Sequence, residues 1–210
     1  MIGTGNVGRT LARGLGAAGH EVRVGGREPD RPELVAWSAE TGIEVVALGD
    51  VADGVDTVVL ATAWDGTQPA LAIAAGPDGS ALDGLVVIDV TNPLGFTDRL
   101  QLMIGHDDSG GEQVQRWAPT ARVVKAFNTV GFELMVRPEL ADGPGTMFIA
   151  GDDDEAKALV ARLAGDLGWS IHDCGDLRGA RLTEPLAMVW IEHAIRTGER
   201  GHAFRLLTPA

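Results

Sequence analysis

The sequence predicts an α/β chain, a doubly wound parallel sheet with a small C-terminal α/β extension. Three observations carry that expectation. Short apolar, β-branched runs alternate with helical patterns along the chain. One run, Leu85-Val86-Val87-Ile88, is continuously apolar, as in a strand buried on both faces. A Gly-x-Gly-x-x-Gly turn opens the first helical pattern. The 210 residues are read as one unit, 1–210, with a core over 1–130. Residues 131–210 are expected to complete the sheet and the site.

Strands are expected at His20–Val24, Glu44–Leu48, Thr57–Ala61, Leu85–Val90, Arg122–Phe127 and Thr146–Ala150, and a parallel sheet is expected from them. Val7–Ala18 places Val7, Leu11 and Leu15 on one helical face and stops at Gly19. Pro32–Thr41 stops at Gly42, where a glycine can adopt positive φ. Gly95–Gly111 is polar, rich in Gly and Asp and without a period, so it reads as a long surface loop. Asp152-Asp153-Asp154 precedes a helical run from Glu155 to Leu163 and reads as a helix cap in preference to a metal site. Ser170–Asp173 reads as a short strand and Ala180–Arg196 as a long helix with Pro185 in its first turns. His202–Leu207 reads as a last short strand.

Composition excludes several classes of function. Thirty acidic against seventeen basic residues give a net charge of -13, which repels nucleic acid and anionic membranes. No apolar run approaches the roughly 18 residues of a membrane span. The chain opens almost directly on a Gly-rich turn, so no leader peptide is expected and the compartment expected is the cytoplasm. The one cysteine, Cys174, has no partner for an internal disulfide. His20, His106, His172, His193 and His202 fall in no metal spacing, and there is no Gly-x-Ser-x-Gly elbow. Neither a metal ligand nor a catalytic residue is therefore assigned. Hydride transfer between two ring systems needs none, because positioning does most of the work.

The chemistry concentrates at Gly3-Thr4-Gly5-Asn6-Val7-Gly8. Gly3 permits the tight turn, Gly5 lets a pyrophosphate approach the backbone, and Gly8 permits close packing of the helix. Free amides at the helix start then face the phosphates. This is a Rossmann-type dinucleotide turn. The second strand ends Val24-Gly25-Gly26-Arg27-Glu28 with no acid at its tip. Arg27, nineteen residues beyond Gly8, can pair with a 2′-phosphate, which points to NADP(H). The alternative is Glu28 on the ribose. Thr62-Ala63-Trp64 and Asn92-Pro93 follow strands and border the crevice where open α/β sheets bind ligands.

Ile2 to Gly8, Gly25-Gly26-Arg27, Val124 to Thr129, Ile149 to Asp153 and the tail from Asp173 to Leu186 resemble the NADPH-dependent coenzyme F420 reductase family. The resemblance spans nearly the whole chain. It implies a Rossmann-type homodimer passing hydride between NADPH and a deazaflavin. It also implies an acceptor near Asn128 and the Gly95–Gly111 segment. Characterised F420-reducing members carry His where this chain has Asn128. The wider group with Lys-Ala-Phe-Asn-Thr also resembles the cytoplasmic domain of membrane ferric reductases. The acceptor alternatives are thus F420, a flavin or another molecule. Two further readings stay open: a non-catalytic NADPH-sensing module, and a small-molecule dehydrogenase with Lys125 as its acid. A lysine in that position is otherwise expected to point to solvent or to phosphate.

The start of the chain is a further expectation. A central strand needs roughly five residues, and only Met1 and Ile2 precede Gly3. Family members carry several more, of the type Met-Lys-Ile-Ala-Val, so the natural start is expected a few codons upstream.

Overall fold

The computed structural model describes residues 1–141 and 143–209. Its first half alternates α1 (Asn6–Ala17), β1 (Arg23–Gly26), α2 (Pro32–Thr41), β2 (Glu44–Ala47), β3 (Thr57–Leu60), α3 (Thr67–Ala74) and β4 (Val86–Asp89). Then come β5 (Leu94–Phe96), β6 (Leu100–Leu102), α4 (Gly110–Trp117) and β7 (Arg122–Lys125). The last third adds β8 (Thr146–Gly151), α5 (Asp154–Asp166), β9 (Ser170–Asp173) and α6 (Ala180–Thr197).

β1 pairs with β2 in parallel, and β3, β4, β7, β8 and β9 follow one another across a second stretch of sheet. Ile2 joins the two through parallel bridges to Gly25 and Leu60. The strand order across the sheet is that of a dinucleotide-binding fold. Alternation along the strands covers both faces. Val59 and Ile88 pack toward α1 and α5, with Leu11, Leu15, Val160 and Ala164. Val58, Leu60 and Val87 pack toward α3 and α4, with Leu71 and Val114.

Four expectations are corrected. The sheet is not wholly parallel, since β8 runs antiparallel to β7 through Val124–Gly151 and Lys125–Ala150. Gly95–Gly111 is no open loop. It contributes an antiparallel β5–β6 hairpin, with Leu94 opposite Leu102, and the first residues of α4. His202–Leu207 is not a strand, although Thr146 N donates to Phe204 O at 2.9 Å. The strand expected at His20–Val24 lies instead at Arg23–Gly26, whereas Pro185 falls in the second turn of α6, as expected, on an exposed face. The acidic run caps α5 as expected, with Asp153 Oδ1 accepting from Ala156 N at 2.7 Å.

Ile2 is held like a central-strand residue. Its N–H donates to Val59 O and its carbonyl accepts from Ala61 N, both at 2.8 Å. Behind it lies a cavity of about 460 Å³, lined by Met1, Glu21, Arg23, Thr57, Val59 and Leu163 among others. Thr57 Oγ1 is buried there without a partner. The Met1 amine donates to Arg23 O at 2.8 Å. Burial, helped by the charge of Arg23, lowers its pKa from 8.0 to about 5.

A free amine at Met1 has a defined consequence. Between pH 8 and pH 5 the unfolded chain binds one more proton than the folded chain, so stability rises with pH across that window. The 210-residue polypeptide is expected to lose on the order of 4 kcal/mol as pH falls from 8 to 5, followed by urea melts. A version carrying four or five further residues ahead of Met1 has no free amine there and is expected to lack this component. Superimposable pH profiles for the two would contradict the buried-amine geometry.

Candidate dinucleotide-binding site

The turn from Gly3 to Gly8 is closed by steric exclusion. Gly3 has φ 120°, and a Cβ on it would lie 2.4 Å from the Ala61 carbonyl oxygen. A Cβ on Gly8 would lie 2.2 Å from Gly3 O, so Gly8 packs the helix against the turn itself. Gly5 differs from both. It is exposed, precedes α1 as its N-cap, and has nothing within 4 Å of a Cβ position. The first turn of α1, which begins with Asn6 and Val7, has no acidic residue and no side-chain cap. Its positive dipole end is therefore uncompensated and open to an anion.

The start of α4 is the opposite case. Ser109 caps it, accepting from Glu112 N at 3.2 Å and donating to Glu112 Oε2 at 2.8 Å. Glu184 takes the amides of Gly110 and Gly111 at 3.0 and 3.1 Å. No phosphate can use that terminus.

Thr4 brings the tip of β1 to the turn: a Cβ on Gly26 would lie 3.2 Å from Thr4 Cγ2. Arg27 and Glu28 are both exposed just beyond. Arg31 pairs with Glu33 at the start of α2. A backbone hydrogen bond of Glu33, that ion pair and the charge of Arg9 hold the Glu33 carboxyl below the usual range. Arg9 and Arg27 thus bring positive charge to this edge beside the acids Glu28, Asp30 and Glu33.

At the other sheet positions, Thr62 Oγ1 bonds Thr67 Oγ1 at 2.9 Å and Ala63 is exposed. Trp64 is half-buried, its ring 5.4 Å from that of Trp117. Pro93 is buried, and Asn92 is bonded reciprocally to Asn128. Asn128 Nδ2 donates to Asn92 Oδ1 at 3.0 Å, and Asn92 Nδ2 donates to Asn128 O at 2.9 Å. Asn128 Nδ2 also donates to Thr183 O at 3.1 Å. Asn128 is buried, and its Oδ1 and the Thr183 Oγ1 have no partner. Asn128 therefore ties loops together at the crevice floor.

Lys125 points neither to solvent nor to phosphate. It is fully buried, with Nζ 2.9 Å from Asp89 Oδ2, 2.8 Å from Glu184 Oε1 and 2.6 Å from Thr91 O. Burial alone would push its ammonium pKa down, but the two carboxylates outweigh that and hold it above the ordinary lysine value. With no exposed surface and three internal partners, the ammonium is out of reach of a substrate in this arrangement. Asp89, Glu184, Ser109 and Gly110 were not singled out by sequence reasoning. The spacing Ser109-x-x-Glu112 is a capping signal that marks the start of α4. Burial, helped by the charge of Asp173, pushes the Cys174 thiol up. Among the described residues there is no cluster of three or more potential metal ligands, and no helix is long and apolar enough to cross a membrane.

Residues 1–93 match the family described as NADP oxidoreductase, coenzyme F420-dependent. A solved structure from Arthrobacter sp. FB24, provisionally named an F420-dependent NADP reductase, is 38% identical. It superposes with TM-score 0.89 over 98% of this chain and 97% of its own. The chain belongs to the F420-dependent NADP oxidoreductase family. The F420-dependent NADP reductase of Methanothermobacter marburgensis is 26% identical over 97% of this chain and 95% of its own length. Metalloreductase STEAP3 of Rattus norvegicus is 29% identical over 90% of this chain. The chain spans only 36% of that metalloreductase. As a family member this is an NADP-dependent oxidoreductase, and the open Gly5 turn, the uncapped α1 and the exposed Arg27 fit the phosphates of that dinucleotide.

The phosphate turn is testable. Gly5→Ala is expected to fold normally, because its Cβ meets nothing within 4 Å, and to weaken NADPH binding at least about tenfold by titration fluorimetry. Gly3→Ala, facing the Ala61 carbonyl at 2.4 Å, is expected to destabilise the protein itself. Normal NADPH affinity in Gly5→Ala would exclude the turn as the pyrophosphate site.

Proposed function

We propose that this protein transfers hydride between NADPH and a deazaflavin or flavin-like acceptor. The observation that carries the reading is the pairing of an open, uncapped helix start at Gly5 with the exposed Arg27 beside it. Bound NADPH supplies the hydride. The chain's own residues bind and orient. Backbone amides at Gly5 to Val7 receive the pyrophosphate. Arg27 receives the 2′-phosphate through a charge-assisted contact. Thr62, Ala63, Trp64, Asn92 and Pro93 form the walls for the nicotinamide half, and Asn128 fixes the Asn92 loop from below. Rat metalloreductase STEAP3 is a relative by sequence, so a ferric acceptor is the second reading. The name of the Methanothermobacter reductase supports F420.

NADPH oxidation followed at 340 nm with F420, FMN, FAD and ferric citrate offered separately identifies the acceptor. Turnover with F420 or a flavin is expected. Tight NADPH binding with no turnover on any of the four would instead indicate a sensing module. NADPH is expected to bind at least about tenfold more tightly than NADH, and Arg27→Ala is expected to erase most of that gap. Equal affinities in the unaltered protein would remove the NADP assignment of Arg27.

Asn128 stands where characterised F420-reducing relatives resemble one another in carrying His. Asn128→His is expected to change acceptor rate or preference more than NADPH affinity. Weaker NADPH binding with unchanged acceptor kinetics would count against an acceptor role for that loop.

A further inference from the structure

Glu184 belongs to α6, far along the chain from the phosphate turn, yet it reaches the carboxyl ends of the strands. It is 1% exposed. Its Oε1 lies 2.8 Å from Lys125 Nζ and accepts from Gly111 N at 3.1 Å. Its Oε2 accepts from Gly110 N at 3.0 Å. The Gly110 backbone is thereby held where three loops meet. A Cβ on Gly110 would lie 3.0 Å from Glu184 Oε1, 3.1 Å from Trp64 Cζ3 and 3.2 Å from Pro93 Cδ. Through Lys125, the same carboxylate is linked to the Thr91 carbonyl, 2.6 Å from Nζ, immediately before Asn92. One side chain thus sets the loop after β3, the loop after β4 and the first turn of α4.

We propose that Glu184 is a positioning residue for the hydride-transfer side of the crevice. It touches neither phosphate nor ribose. It holds the Gly110 backbone, against which Trp64 and Pro93 lie, so its loss lowers turnover while NADPH affinity, set at the Gly5 turn and Arg27, is retained. This inference rests on the function proposed above. Hydride transfer demands close registration of two rings, and a displacement of about 1 Å costs on the order of a hundredfold in rate. The loops that Glu184 holds are separate segments, joined here by its hydrogen bonds and by the contacts around Gly110.

Two full-length variants test it. Glu184→Gln keeps the shape but turns an amide donor toward either a backbone N–H or the Lys125 ammonium. Gly110→Ala keeps the Glu184 side chain but places a methyl 3.0 Å from its Oε1, 3.1 Å from Trp64 and 3.2 Å from Pro93, and alanine is the better helix former. The readouts are NADPH Kd by fluorescence, kcat with the acceptor found above, and amide exchange at Gly110, Gly111 and Thr91, whose N–H groups are bonded to Glu184 and Asp89. Both variants are expected to lower kcat at least tenfold with NADPH Kd within about threefold. Glu184→Gln is also expected to speed exchange at those amides about tenfold. A kcat within threefold of the unaltered protein in both variants overturns the proposal. So does a Kd that rises in step with the fall in kcat. If Glu184→Gln does not fold, Gly110→Ala decides alone. If the unaltered protein oxidises NADPH with none of the four acceptors, the functional reading fails. Exchange then decides the positioning role: faster exchange at Thr91, which Glu184 reaches only through Lys125, in Glu184→Gln supports it, and unchanged exchange there overturns it.

Discussion

One buried ammonium organises this protein. Lys125 has no exposed surface, and an isolated charge in that position would cost several kcal/mol. Asp89 at the end of β4 and Glu184 on α6 supply the compensation. Removing either partner from such a group typically costs about 3–5 kcal/mol, because the remaining charge stays buried. α6 is therefore bound to the core by more than apolar contact. It cannot leave the sheet without exposing Lys125 to a single carboxylate. Asp89 is itself committed further, since its Oδ1 accepts from Thr91 N and Thr91 Oγ1 at 2.9 and 2.7 Å. The loop carrying Asn92 and Pro93 leaves the sheet from this fixed point.

Helix termini divide the labour around that centre. α4 and α5 have side-chain caps on their N-terminal amides, whereas α1, like α2, α3 and α6, has none, and the uncapped start of α1 is the one that opens on the Gly3–Gly8 turn. The distinction matters in a chain of net charge -13. At physiological salt, charges beyond roughly 8 Å are largely screened, so the acidic total does not bar an anionic ligand. Local charge decides, and near Gly5 it comes from the α1 dipole and from the exposed Arg27, with the exposed Glu28 beside it.

The Gly3–Gly8 turn and the helix it opens are legible in the sequence because their logic is local. Three glycines at fixed spacing, an apolar helical face and an Arg after the next strand lie within residues 3–27. The buried triad was not legible, since Asp89 lies 36 residues from Lys125 and Glu184 further still. The available signal was the setting of Lys125 in Val123-Val124-Lys125-Ala126-Phe127, where a lysine inside an apolar strand has to find a partner. The hairpin at Leu94–Leu102 escaped notice because each of its strands is three residues long, too short for a period to emerge. The start of α4 was hidden by Gly110-Gly111, poor helix formers that close packing requires: a Cβ on Gly111 would lie 3.1 Å from Ala180 Cβ.

The two halves of the crevice are made from different materials, and this separates what each can specify. The phosphate half consists of backbone amides and glycines, where a substitution at Gly3 or Gly8 collides with the main chain. Little can vary there except the residue at the tip of β1. The other half consists of side chains held from α6, and it is less completely satisfied. Asn128 Oδ1 and Thr183 Oγ1 are buried without partners at the α6 seam, each at a cost of about 1–3 kcal/mol. Exchanging Asn128 for a larger or differently charged group changes bonds to Asn92 and Thr183 but leaves the Gly3–Gly8 turn untouched. A fold assembled in this way can hold its dinucleotide constant while the acceptor side is rebuilt by a few substitutions. On that ground, relatives named for F420 and for metal reduction can share one phosphate turn.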